Sequence, residues 1–113
     1  MSMSMKKMLL AAGCLTAFLA IGIPMNAAAG DPKKGKAVFD ENCSMCHNAT
    51  STEALVGPGL KGLFKRAKLA SGKPVSDVNV LGTINKGGDT MPPFADSLKP
   101  AEKDNVLAYL KTL

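Results

Sequence analysis

The chain has 113 residues and a formal net charge of +5, from 14 Lys and Arg against 9 Asp and Glu, with no Trp, four Phe and one Tyr. The basic residues form no tail or block, and too few aromatics lie among them for a nucleic-acid face, which clusters cations beside stacking rings. The length allows one small domain.

The N-terminal stretch reads as a secretory signal. Lys6 and Lys7 precede an apolar or small run from Met8 to Ile23, Pro24 breaks it, and Asn26–Gly30 supplies the small residues a signal peptidase reads. The run of 16 residues falls short of the 18 or more of a spanning helix. Residues 1–29 are therefore expected to be cut after Ala29, with export to the periplasm. Two alternatives stay open. The leader is retained as a membrane anchor, or Cys14, in "LAAGC", is lipidated as in a lipoprotein box. Against lipidation stand the short apolar stretch before Cys14 and its continuation for nine residues beyond. Cleavage after Ala29 leaves a single domain, residues 30–113, of 84 residues and net charge +3. A domain this small commonly needs a disulfide, metal or cofactor to supplement its core. A disulfide between Cys43 and Cys46 closes too short a loop to constrain the unfolded chain much.

The domain is expected to be all-α. Asp31 caps a first helix, Pro32 takes its first position, and Val38, Phe39 and Asn42–Cys43 recur at helical spacing. Gly35 shares a face with Phe39, which points to close approach of another helix. Asn48–Pro74 reads as loop with a helical turn near Leu60–Lys65. Ser76 or Asp77 starts a short second helix with a Val80, Leu81, Ile84 stripe, ended by Gly87–Gly88. Asp89–Leu98 is loop, since Pro92 and Pro93 forbid a regular helix. Pro100 opens the last helix, Glu102 and Asp104 face its positive end, and Val106, Tyr109, Leu110 and Leu113 form its stripe. Loops this long in a small domain usually wrap something.

"CSMCH", Cys43–His47, is the attachment signature of a c-type haem. Each thiol adds to one vinyl group, the two-residue gap lets one turn of chain reach both, and the imidazole then comes under the ring as iron ligand. A redox C-x-x-C requires a βαβ setting. A zinc site requires four protein ligands, and the mature chain offers two Cys and one His.

Together with "GPGLKGLF" (Gly57–Phe64), "GGDTMPPF" (Gly87–Phe94) and "VLAYL" (Val106–Leu110), this pentapeptide makes residues 31–113 resemble a class I c-type cytochrome. The resemblance implies a small all-α fold whose terminal helices cross and whose loops wrap one covalently attached haem c. Cys43 and Cys46 would carry the thioether bonds and His47 the proximal bond. The Pro58 carbonyl would orient His47. Gly35 and Phe39 would cross the last helix at Val106 and Tyr109, and Arg66 would lie near a haem propionate. Met91 is the expected sixth ligand. Of the seven methionines only Met45 and Met91 survive cleavage, and Met45 sits between the cysteines on the proximal side. A lysine, an asparagine or an empty position is the alternative.

With both axial positions filled, the iron has no place for a small-molecule substrate. The expected function is a single-electron carrier, not an enzyme, between periplasmic or membrane oxidoreductases, working as a monomer with redox partner proteins. Lys61, Lys65, Arg66 and Lys68 could form a basic rim toward an acidic partner. The rivals are a tethered haem subunit of a respiratory complex, and a haem sensor or enzyme with an open sixth position.

Overall fold

The computed structural model describes residues 30–113; the leader and Cys14 lie outside the described residues. Three helices, α1 (Pro32–Asn42), α2 (Asp77–Lys86) and α3 (Pro100–Leu110), are joined by loops carrying one 3₁₀ turn at Leu63–Lys65. Among the described residues the only strand-like pairing is an isolated bridge between Lys68 and Pro74, so the domain is all-α as expected. No helix among them is long and apolar enough to cross a membrane.

The caps act where the sequence placed them. The Asp31 carboxylate accepts from the backbone N–H of Lys33 at 2.8 Å, satisfying a first-turn donor of α1. Ser76 Oγ accepts from Asn79 N at 3.1 Å at the start of α2, and Gly87 ends that helix with φ 69°. In α3 the Glu102 carboxylate reaches back to the Lys99 N–H at 2.7 Å.

The main packing is α1 against α3. A Cβ on Gly35 would overlap the Asn105 backbone carbonyl and the Tyr109 Cβ, so the two backbones meet with no space for a side chain. Phe39 and Tyr109 rings pack beside this crossing, with centroids 5.4 Å apart and planes at 58°. The crossing at Gly35 thus falls on Asn105 and Tyr109, one residue from the expected Val106. Val106 is only 1 % exposed, but it fills the core next to the contact. Asn105 also accepts from the Asp31 backbone N–H through Oδ1 at 2.8 Å, tying the start of α1 to the middle of α3.

The α3 stripe is wider than periodicity implied, for Leu107 is buried along with Val106 and Leu110. This helix touches α2 as well as α1, so a single apolar seam does not describe it. Lys111 adds a salt bridge to Asp77 of α2 at 2.7 Å. The core joins Val38 and Phe39 of α1, Val80 and Ile84 of α2 and the three buried α3 residues to Leu63 and Leu98 from the loops. No polar or charged residue is buried among the described residues. A cleft lies between the Cys43–Pro58 segment on one side and α2 with the Met91 loop on the other.

Candidate haem-binding site

The pentapeptide folds as a tight extension of α1. Cys43 N–H donates to Phe39 O at 2.8 Å, and Cys46 and His47 N–H both donate to Cys43 O, at 3.1 and 2.9 Å. This turn sets Cys43 and Cys46 on the wall of one cavity of about 590 Å³, both as free thiols. Burial, and secondly the neighbouring Cys46, pushes the Cys43 thiol up to about 11.

His47 is fixed by the following loop. Gly57 N–H donates to Cys46 O at 2.8 Å and Leu60 N–H to Asn48 O at 2.7 Å, folding the Gly57–Leu60 stretch under the pentapeptide. His47 Nδ1 then lies 2.8 Å from Pro58 O. A carbonyl only accepts, so Nδ1 carries a proton and Nε2 is the nitrogen left to face a metal, the arrangement of a metal-ligating histidine. Sequence reasoning missed Gly57. A Cβ there would overlap His47 Cε1, so the imidazole rests directly on that backbone. The signal was present in the doubled glycine around Pro58, but nothing in the sequence says which of Gly57 and Gly59 faces the ring.

A second cavity, of about 320 Å³, adjoins the first. His47, Pro58, Ala70, Ser71, Thr83 and Met91 line both. Leu60, Leu63, Val80, Ile84 and Leu110 give the smaller cavity apolar walls. Met91 is held in a tight loop by Gly88 N–H donating to Met91 O and Phe94 N–H donating to Ile84 O, both at 2.9 Å. Met45 is 87 % exposed at the mouth of the larger cavity. Arg66 lines the smaller cavity, and its Nη2 donates to the carbonyls of Gly59 at 2.8 Å and Lys61 at 2.6 Å. It is thus a strut of the proximal loop, a role its resemblance-based assignment to a propionate did not contain.

A haem c fits what is present. Two free thiols, the His47 imidazole and the Met91 thioether line two adjoining, largely apolar cavities. No three His, Cys, Asp or Glu side chains among the described residues converge where a bare metal ion could sit. When bound, the haem supplies the Fe(II)/Fe(III) couple; Cys43 and Cys46 would attach it, His47 and Met91 would ligate its iron, and the cavities offer it largely apolar walls.

Fold and site together define a small all-α monohaem c-type cytochrome. The chain belongs to the family described as "Cytochrome C oxidase, cbb3-type, subunit III", which matches residues 30–110. It is similar to a cytochrome c6 of Rippkaea orientalis, 31% identical over 106 residues that cover 94% of this chain and 92% of the relative. It is also similar to a cytochrome c-553-like protein of Synechocystis sp., 32% identical over 88 residues, 77% of this chain and 73% of the relative. The crystal structure of cytochrome c6 from the diatom Phaeodactylum tricornutum superimposes with a TM-score of 0.58 at 27% identity, covering 74% of this chain and 93% of that one. The protein carries one covalently attached haem c and works as a single-electron carrier rather than an enzyme.

Proposed function

We propose that this carrier is exported, cut after Ala29 and released to the periplasm as a monomer of residues 30–113. Cys43 and Cys46 form the two thioether bonds, and His47 and Met91 are the axial ligands of the iron. The observation that carries this reading is that His47 and Met91 line the same two cavities, with His47 Nδ1 turned to the Pro58 carbonyl. Two protein ligands leave no vacancy for a small molecule, so electrons pass to and from partner proteins. Lys61 and Lys65 are exposed and can steer an acidic partner, while half-buried Arg66 turns inward.

The test is spectroscopic. Oxidised holoprotein should show the weak near-infrared sulfur-to-iron charge-transfer band, and Met91→Ala should abolish it and lower the reduction potential. A band absent from the wild type, or surviving in the variant, removes Met91 as ligand and reopens the sensor reading. A second reading, a tethered subunit of a respiratory complex, has the family description in its favour. The N-terminal mass of the native protein separates the two: cleaved, retained or lipidated at Cys14.

A further inference from the structure

The two cavities differ in the charge of their linings. The larger holds both cysteines and one acid, Asp89, and no Lys or Arg. The smaller holds Arg66 and Lys68 and neither an acid nor a cysteine. His47 and Met91 belong to both. A haem carries its two vinyl groups and its two propionates on opposite edges, with the iron between them. Thioether bonds at Cys43 and Cys46 would put the vinyl edge in the larger cavity. The carboxylate edge would then fall in the smaller one, beside its cations and away from Asp89.

The two cations are not equivalent. Arg66 is engaged through Nη2 with the Gly59 and Lys61 carbonyls, whereas Lys68 Nζ makes no hydrogen bond or salt bridge among the described residues. The backbone fixes where Lys68 is presented. Arg66 is extended (φ −86°, ψ 151°), and Lys68 pairs with Pro74 in the isolated bridge. Residues two apart on extended chain share a side; Arg66 and Lys68 line the cavity, and Ala67 between them does not. Leu69 N–H donates to Lys73 O at 2.8 Å and Gly72 N–H to Leu69 O at 2.9 Å, closing a turn that carries Ser71. Ser71 lines both haem cavities and also a third, of about 390 Å³, that opens toward Lys73 and Lys86.

We propose that Lys68 and Ser71 bind the haem propionates, Lys68 as charge partner and Ser71 as hydroxyl donor, while Arg66 holds the proximal loop beneath them. This rests on the reading that the haem is bonded to Cys43 and Cys46. An ammonium beside a carboxylate offsets negative charge near the iron and so favours Fe(II); removing it favours Fe(III).

The experiment is a redox titration of the full, haem-loaded protein and its Lys68→Gln, Lys68→Arg, Lys73→Gln and Lys86→Gln variants. Carboxylate resonances of ¹³C-labelled haem propionates are followed in the same samples and in Ser71→Ala. Lys68→Gln should shift the potential downward and Lys68→Arg should restore it. Lys73→Gln and Lys86→Gln, with the same loss of formal charge, should shift it clearly less. A propionate resonance should move in Lys68→Gln and in Ser71→Ala. If Lys68→Gln shifts the potential no further than Lys86→Gln, or the resonances stay in place in either variant, the assignment is overturned. Failure of the underlying reading looks different: the wild-type protein then lacks the mass of one covalent haem.

Discussion

The imidazole of His47 is held between two parts of one loop: its Nδ1–H donates to the Pro58 carbonyl at 2.8 Å, and its Cε1 lies against the backbone of Gly57. The hydrogen bond selects the tautomer and the glycine selects the ring position. Gly57→Ala should therefore act on the iron through His47 alone. The added methyl overlaps the ring, forces it to rotate and lengthens the bond to Pro58. Loss of such an outer partner commonly costs ~10- to 100-fold in metal affinity. The expected outcome is a haem still covalently attached but with weakened histidine ligation, seen as a high-spin component in the visible spectrum and a lower resistance to ligand exchange by imidazole.

Gly35→Ala tests the helix crossing, and two effects of opposite sign compete. Alanine inside a helix gains ~1 kcal/mol over glycine from propensity. Here the new Cβ overlaps the Asn105 carbonyl, a backbone atom that cannot rotate aside, so α1 and α3 must separate. Overpacking of that kind costs ~1–3 kcal/mol, and the clash wins. Denaturant melts of holoprotein should show a lower midpoint, and Gly35→Val a lower one still.

Lys111→Ala is expected to change stability little, although Lys111 bridges α3 to Asp77 at 2.7 Å and sits 5.7 Å from the centre of the Phe64 ring. Both partners of the ion pair are about half exposed, at 45% and 52%. Exposed pairs contribute ~0–1 kcal/mol, less at high salt. Melts in low and high salt should differ by less than that range; a larger loss would mean the Phe64 contact dominates.

Protein made without haem attachment should lack a cooperative melt. The walls of the smaller cavity, Leu63, Val80, Ile84 and Leu110, are also core residues, so the core is built around the space the ring fills. A ligand bound only by the native state adds its binding energy to stability. Near-native helical circular dichroism with a sharp thermal transition in the haem-free chain would contradict this.

What could be read in the sequence was local. Asp31, Pro32, Ser76 and Pro100 act within one turn of themselves, and the spacing of Cys43, Cys46 and His47 is that of a haem-attachment signature. Gly35 was legible because a glycine inside a helix needs a neighbour close by. What escaped depends on distant chain. Leu107 is buried because α3 meets two helices, and Asn105 is what Gly35 meets, a register that only the packing of α1 on α3 fixes. The carbonyl partners of Arg66 and the Lys68–Pro74 bridge lie in "GLKGLFKRAKLASGKP" (Gly59–Pro74), where basic, small and apolar residues alternate with no regular period and record no pairing.

The apolar wall formed by Leu60, Leu63, Val80, Ile84 and Leu110 also bears on speed. Each turnover changes the charge at the centre of the site by one unit. Water beside that centre would have to reorient its dipoles every time; hydrocarbon has none to turn, and core side chains at crystal-like packing density have little room to shift. That wall therefore adds little to the nuclear rearrangement accompanying each electron. The side chains that hold the helices together thus also lower the reorganisation energy on their side of the site.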